Sequence, residues 1–315
     1  MIDGTGRVEP TDDTFLFRVE SDGLELWVDT LDHRFWSVHS WSAAADVRRY
    51  LKDRVERRRD VDVVWLPSDH LGQIWPGADL RSLRSDFRGE RLLPATEGAR
   101  DVRVQVRGHD SQELLDFLAT SQQYRAALAF DHVGFVAADA DFGVISEAVN
   151  RLGQFAAVGD SFELHQEVVR GVVDRYARLV RLVEARALTF EPLPAGGLRP
   201  AGGPILVRFG RTIPDMDVFL DGLFSAREPF RLWGVPEETH DGVWSVDAVD
   251  LHMGQRLAVD VSHDWLRLFL PSEGCGNTVV RLVANLQHRF DANVRFEDVH
   301  LQAALKAERA PVTAT

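Results

Sequence analysis

Residues 160–188 read DSFELHQEVVRGVVDRYARLVRLVEARAL and carry a helical pattern of apolar residues. The apolar positions are Val169, Val172, Val173, Tyr176, Leu179, Val180 and Val183. Their spacing predicts one long amphipathic helix from Asp160 to about Leu188. Short runs of strand-forming residues lie on both sides of this helix. The sequence therefore predicts an α+β fold, in which helices pack on antiparallel sheets.

The segment toward the N-terminus combines several short strands with one helix. Strands are predicted at residues 15–19, 24–28, 35–39, 61–66 and 80–87, where aromatic and β-branched residues stand between turn residues. An amphipathic helix is predicted at residues 46–59. We expect these elements to form an N-terminal mixed α/β region over residues 1–95.

Residues 101–192 predict a first sheet-and-helix region that ends in the long helix. Its strands are predicted at residues 102–106, 124–130, 133–137 and 152–158, and a helix at residues 110–120. The stretch PLPAGGLRPAGGP follows, and it is too rich in Pro and Gly for regular structure. Residues 193–204 are therefore predicted to be a linker.

Residues 205–300 predict a second sheet-and-helix region with a similar order of elements, followed by a tail at residues 301–315. ELLDFLAT at 113–120 aligns with VFLDGLFS at 218–225, and YRAALAF at 124–130 aligns with FRLWGVP at 230–236. This offset is typical of a duplicated unit. The order of elements is compatible with two ferredoxin-like units. A chance match of apolar spacing is the alternative.

Charge and composition exclude several classes of protein. The chain has 315 residues and a formal net charge of −13, so its mean field repels nucleic acid and anionic membranes. It contains no apolar run long enough to span a bilayer and no signal-peptide core, which predicts a cytoplasmic protein without membrane association. Because Cys275 is the only cysteine, disulfide frameworks and multi-cysteine metal sites are excluded. Known nucleotide-binding and metalloprotease motifs are absent, and we expect no cofactor and no metal.

Cys275 is the candidate nucleophile of the chain. It lies in PSEGCGNT, between a predicted strand and a predicted helix, where backbone N–H groups favour a thiolate. A cysteine-dependent hydrolase or transferase also needs a base, and the nearest histidines in sequence are His252, His263 and His288. The structural alternative is that Gly274 and Gly276 make a turn and that Cys275 fills a small apolar gap.

The candidate binding residues lie on the helix predicted at residues 46–59. They are Arg48, Arg49, Lys52, Arg54, Arg57, Arg58 and Arg59. Within an acidic protein, such clustering predicts a surface that can hold phosphate or a carboxylate-rich partner. The long helix also carries arginines opposite its apolar positions, at 170, 175, 178, 181 and 186. A solvated helix face is the alternative for both sets.

The sequence contains no complete catalytic constellation but has arginine-rich helix faces. It therefore favours a non-catalytic recognition or assembly protein with a protein or nucleic acid partner, in an oligomeric state that the sequence does not specify. Membership of a multi-protein bacterial system, such as a defence system, is one setting for this role. Tandem ferredoxin-like units also occur in RNA-processing proteins of such systems, but GCGN at 274–277 does not match the glycine-rich loop expected there. Catalysis at Cys275 is the alternative function.

Overall fold

The computed structural model describes residues 6–74, 78–97, 100–108, 111–194 and 196–305. The chain divides into an N-terminal unit, residues 1–62, and a C-terminal unit, residues 63–315. All pairings between the described strands are antiparallel, and the sheets are accompanied by helices, so the predicted α+β class is confirmed. Within these ranges no helix has the length and apolar character needed to cross a membrane.

The N-terminal unit is a four-stranded sheet with one helix. Its elements are β1 (Arg7–Pro10), β2 (Leu16–Ser21), β3 (Leu24–Asp29), β4 (Ser37–His39) and α1 (Ala44–Glu56). The strands pair in chain order. Alternation along β2 and β3 places Val19, Leu26 and Val28 on one face of the sheet, and the Tyr50 side chain of α1 packs against them. The period-2 strands and the period-3.6 helix thus bury one shared apolar face.

The C-terminal unit begins with a short helix and a five-stranded sheet. Its first elements are α2 (Ser68–Leu71), β5 (Asp79–Arg88), β6 (Asp101–Arg107), α3 (Ser111–Ala119), α4 (Gln122–Arg125), β7 (Phe130–Asp139), β8 (Gly143–Asn150), β9 (Phe155–Gly159) and α5 (Phe162–Glu184). The strand order is β6-β5-β7-β8-β9. The long helix α5 starts where predicted, because the Ser161 hydroxyl caps it by accepting a hydrogen bond of 3.1 Å from the Leu164 N–H.

The rest of the C-terminal unit adds a hairpin and a seven-stranded sheet. Its elements are β10 (Thr189–Pro192), β11 (Leu198–Ala201), β12 (Ile205–Arg208), α6 (Met216–Phe224), β13 (Leu232–Trp233), β14 (Glu237–His240), β15 (Val243–Asp250), β16 (Gln255–Ser262), β17 (Trp265–Phe269), α7 (Gly276–Arg289), β18 (Arg295–Phe296) and α8 (Val299–Ala304). The sheet order is β13-β15-β16-β17-β12-β18, and β14 also pairs with β15.

Helix α7 lies at the centre of the C-terminal unit. It is buried along nearly its whole length and contacts both α5 and β5. Two of its buried polar side chains bind other segments: Gln287 accepts a hydrogen bond from the Ser68 N–H and donates one to the Val294 carbonyl. Asn285 accepts a hydrogen bond from Arg151. Because these groups are paired, the helix can be buried on all sides without leaving them unsatisfied.

Two predicted strands are absent from their predicted places in the described residues. Residues 61–66, predicted as a strand, have no regular structure, because their backbone groups bind other partners: the Trp65 N–H donates to the Tyr176 hydroxyl and the Leu66 N–H to the Arg151 carbonyl. The second segment, residues 124–130, was also predicted as a strand. Its first two residues belong to α4, and β7 begins only at Phe130. Strand β8 was not predicted.

The Pro- and Gly-rich stretch contains regular structure, contrary to the prediction for residues 193–204. Strands β10 and β11 form a hairpin on either side of the turn, and Phe190 pairs with Pro200. Alternation places Phe190, Pro192, Leu198 and Pro200 on the same face of this exposed hairpin. Of the predicted tail, residues 301–304 belong to α8, and residues 306–315 lie outside the described part of the chain.

The predicted duplication of ferredoxin-like units is not confirmed, because the two sheets have different strand orders. In the first, β5 from the predicted N-terminal region stands between β6 and β7. In the second, the first strand, β12, pairs with β17 and β18. The aligned segments 113–120 and 218–225 are helices α3 and α6, each of which precedes three consecutively paired strands and a long helix. That shared order accounts for the alignment.

Candidate binding surface

Helix α1 presents its cationic residues to solvent because its apolar residues hold the opposite side on the sheet. Val47, Tyr50 and Leu51 recur at helical spacing and pack on the core of the N-terminal unit. The helix begins at Ala44, two residues before the predicted start, with Ala43 at the N-cap position. Six of the seven predicted binding residues are exposed: Arg48, Arg49, Lys52, Arg57, Arg58 and Arg59. Arg57, Arg58 and Arg59 directly follow Glu56, the last residue of the helix, and we call all six residues the α1 cationic surface.

Three members of the α1 cationic surface form ion pairs with neighbouring carboxylates. Arg49 pairs with Asp46, Lys52 with Glu56 at 3.6 Å, and Arg58 with Asp60 at 2.6 Å. Hydrogen bonds from Arg58 lower the pKa of Asp60 to about 2. Exposed pairs of this kind contribute little to stability, so a stronger anionic partner can displace them.

The other three members, Arg48, Arg57 and Arg59, form no ion pair with any residue that the structure describes. Residues 48–59 carry seven basic side chains against two acidic ones, Asp53 and Glu56. The segment is therefore locally positive in a chain of strongly negative net charge.

Arg54, the seventh predicted binding residue, is turned toward the protein. Its side chain is only 15% exposed and forms an ion pair of 3.0 Å with Asp22. Its guanidinium carbon lies 3.9 Å from the centre of the Tyr50 ring, a cation–π contact. Arg54 therefore joins the helix to the β2–β3 turn, and its guanidinium is not part of the exposed cationic surface.

Helix α5 does not form the continuous basic face that its sequence suggests. Arg175 is buried and donates hydrogen bonds of 2.5 and 2.9 Å to the carbonyl oxygens of Gln73 and Ile74. Burial, with the charge of Arg178, lowers the pKa of Arg175 to about 10. Arg170 and Arg186 pair with Glu167 and Asp298. Arg175 and Arg186 thus attach the helix to other segments of the C-terminal unit, whereas the Arg170–Glu167 pair lies within the helix.

Cys275 occupies the N-cap position of α7 and is half-buried. Two backbone donors at this helix end already have acceptors within the protein. The Cys275 N–H donates to Gln255 Oε1 and the Gly276 N–H to Glu184 Oε1, both at 2.8 Å. A carboxylate thus stands where an anionic substrate would otherwise meet the helix N-terminus.

Two of the three candidate bases for Cys275 have contacts with other side chains, and the third is buried. The His252 ring lies 2.9 Å from Arg231 Nη1, and the His263 ring packs edge-on against Trp244 at 5.8 Å. His288 is buried, and burial lowers its pKa to about 3. A histidine that stays neutral in the interior is a poor proton acceptor near pH 7.

A second feature of the N-terminal unit is an apolar cavity of about 350 Å³ beside α1. It is lined by Val8, Phe17, Val19, Leu26, Val28, Thr30, Trp36, Val38, Tyr50 and Leu51. It lies where α1, a helix of thirteen residues, leaves part of the sheet face uncovered, and Trp36 and Val8 at its rim are each about half exposed. Its size suits a large apolar side chain or a small apolar molecule.

Comparison with known proteins places both units in one family. The model of the MJECL33-like proteins matches residues 6–304. The chain belongs to the MJECL33-like protein family. It is similar to the Uncharacterized protein MJECL33 of Methanocaldococcus jannaschii, with 22% identity over 340 residues that cover 93% of this chain and 81% of that protein. No solved structure matches the chain.

The sequence of this MJECL33-like protein predicted the cationic surface but did not indicate the cavity. The alternation of Phe17 with Val19 and of Leu26 with Val28 marks an apolar sheet face. Only one helix is predicted in residues 1–60 to cover it. Comparing the area of this sheet face with the area that one helix can cover could have revealed the cavity.

Proposed function

We propose that this protein is a non-catalytic recognition protein and that the α1 cationic surface binds an acidic segment of a partner protein. The observation that carries the proposal is the α1 cationic surface, in which Arg48, Arg57 and Arg59 have no ion-pair partner in the described residues. An exposed arginine can bind a carboxylate with two parallel hydrogen bonds.

The apolar cavity favours a polypeptide over a nucleic acid as partner. Tyr50 and Leu51 of α1 line the cavity, while Arg48, Arg49 and Lys52 of the same helix face solvent. A peptide that combines acidic residues with a large apolar side chain could use both features at once. A nucleic acid would use only the cations, and the net charge of −13 opposes its approach.

The proposal is tested by fluorescence anisotropy with three labelled probes. They are a 20-residue polyglutamate, the same peptide with phenylalanine at every fifth position, and a single-stranded DNA of 20 nucleotides. At low salt we expect the phenylalanine-containing peptide to bind most tightly and its affinity to fall as salt rises. Tighter binding of the DNA would assign the surface to nucleic acid. Absence of binding to all three probes would contradict a cationic recognition surface.

Charge reversal locates the binding. The triple variant Arg48→Glu, Arg57→Glu, Arg59→Glu should weaken binding of the phenylalanine-containing peptide by about tenfold or more, because three favourable contacts become repulsive. The control variant Arg181→Glu, Arg227→Glu, Arg256→Glu changes the net charge equally at exposed positions of the C-terminal unit and should bind nearly as the unmodified protein does. Equal losses in both variants would show a net-charge effect instead of a site.

A further inference from the structure

The two edges of the five-stranded sheet differ in chemistry. One edge strand, β6, has the sequence DVRVQVR and carries Asp101, Arg103 and Arg107. The other, β9, has the sequence FAAVG and carries no charge and no proline. Charged residues and proline are the usual means by which a protein prevents its edge strands from pairing with other chains. The β6 edge has such protection, whereas β9 does not.

Strand β9 is accessible along most of its length. Residues 156–159 are all exposed, and Val158 is 78% exposed. β9 pairs with β8 in an unbroken register, without the bulge that would bend it away, and no described strand pairs with its outer side. Its outward N–H and C=O groups can therefore receive another strand.

Exposed apolar side chains surround this edge. Val144 of β8 shares a sheet face with Val158 and is half exposed. Phe162, at the start of α5, and Phe142, in the β7–β8 turn, are exposed to a similar degree. A strand added to β9 would cover part of this apolar surface together with the open edge.

We propose that β9 pairs antiparallel with β9 of a second copy of the chain and forms a continuous ten-stranded sheet across a twofold axis. A twofold interface uses the same surface on both copies, so the strand must complement itself. When the pairing is centred on Ala157, Phe155 lies opposite Gly159 of the second copy and Ala156 opposite Val158. Each larger side chain then faces a small one, and the aromatic ring covers the glycine.

Charge selects the antiparallel arrangement. In a parallel pair, Asp160 at the end of β9 would lie beside Asp160 of the second copy. In the antiparallel pair, Asp160 lies beside the uncharged Gln154. A five-residue strand contact is smaller than the usual stable interface of about 1,200 Å² or more, so we expect dissociation in the micromolar range.

Sedimentation velocity of the full chain over about 1–100 μM tests the proposal. We expect dimers at the upper concentrations. The variant Ala156→Lys, Val158→Lys should be monomeric, because lysines of the two copies would face each other across the twofold axis. The control Val235→Lys, Val299→Lys adds the same charge at exposed valines of the C-terminal unit and should still dimerise. The variant Ala156→Glu, Val158→Lys places opposite charges across the axis and should restore the dimer.

Two sedimentation results would overturn the inference. One is a monomer at all concentrations, which would leave the β9 edge for a strand of another protein. The other is a dimer that the two lysines do not dissociate, which would place the interface elsewhere.

Circular dichroism checks that each variant is folded. If the lysine variant is unfolded, cross-linking of two variants that also carry Cys275→Ser decides. A short bismaleimide should join the two copies of Ala157→Cys and should not join those of Val235→Cys. Equal cross-linking at both positions would also overturn the inference.

Discussion

Asp250 and Arg281 form an ion pair in the interior of the C-terminal unit. The carboxylate Oδ2 and the guanidinium Nη2 are 2.5 Å apart, and the two side chains are 0% and 3% exposed. The same carboxylate accepts hydrogen bonds from the Thr278 hydroxyl and the His252 N–H. Asp250 ends β15 and Arg281 lies on α7, so this pair attaches the central helix to the seven-stranded sheet.

Removal of either charge should destabilise the fold strongly. Asp250→Asn or Arg281→Met leaves an uncompensated charge in the interior and should lower the free energy of unfolding by about 3–5 kcal/mol. The double variant should lose clearly less than the sum of the two. Chemical denaturation measures all three. As a control, Arg199→Met removes an exposed pair with Glu191 and should change stability by less than about 1 kcal/mol. Additive losses at 250 and 281 would contradict direct coupling.

Two buried histidines should make the protein less stable in mild acid. Burial, with the charges of Arg175 and Arg178, holds the pKa of His70 well below 6.5, and burial lowers the pKa of His288 to about 3. Because both pKa values are depressed by folding, the unfolded chain binds the protons first. Stability is therefore full above about pH 6.5 and falls as pH decreases, by about 1.4 kcal/mol per pH unit for each histidine.

Urea denaturation between pH 5 and 7.5 measures this dependence. His288→Leu should reduce its slope by about one proton, because it removes one of the two groups. His33→Leu removes a histidine whose side chain is 94% exposed and should leave the slope unchanged. A slope that is the same in all three proteins would show that His288 is not responsible.

Substitution by alanine should change the stability of the fold in opposite directions at two helical glycines. A Cβ atom at Gly222 in α6 would clash with the carbonyl oxygen of Arg91, and Gly222→Ala should cost about 1–3 kcal/mol of stability. At Gly171 in α5 the added atom would meet nothing within 4 Å, and Gly171→Ala should stabilise by about 0.5–1 kcal/mol through helix propensity alone. Thermal or chemical unfolding of both variants checks the difference, and changes of the same sign would contradict the packing of α6 on residue 91.

Cys275 should react slowly with alkylating agents in the folded protein. It is half-buried, and Glu184 occupies the adjacent helix end. Iodoacetamide labelling at pH 7, followed by mass spectrometry, should be slower in the native chain than in the urea-unfolded chain, with Cys275→Ser as the blank. Faster labelling in the native chain would favour the cysteine-dependent hydrolase or transferase over the recognition role.

The elements with strong periodicity were predictable from the sequence. The apolar positions of α5 and α7 recur every three to four residues, and β15 to β17 contain apolar runs between turn residues. The segments at 61–66 and 124–130 have equally apolar sequences but are not strands. The structure of residues 61–66 depends on the distant partners Tyr176 and Arg151, and Phe130 donates its backbone N–H to the distant Ser68 hydroxyl. Local apolar spacing does not encode these contacts.

The candidate surface was predictable in outline only. Helical spacing indicates which side of α1 faces solvent, and six of the seven predicted residues are exposed. It does not indicate that Arg54 stacks on Tyr50, or that Arg175 of α5 reaches the carbonyl groups of residues 73 and 74. A long guanidinium side chain can turn inward whenever tertiary structure offers it acceptors.

The position of β12 has a consequence for how the chain is made. Val207 pairs with Leu266 on one side and with Phe296 on the other, so both partners of this strand are synthesised after it. While the ribosome is still translating the intervening residues, Ile205 and Val207 belong to an unpaired apolar strand that is open to association with other nascent chains. Premature termination before residue 265 would leave both sides of β12 permanently unpaired, and termination between residues 270 and 294 would leave one side open.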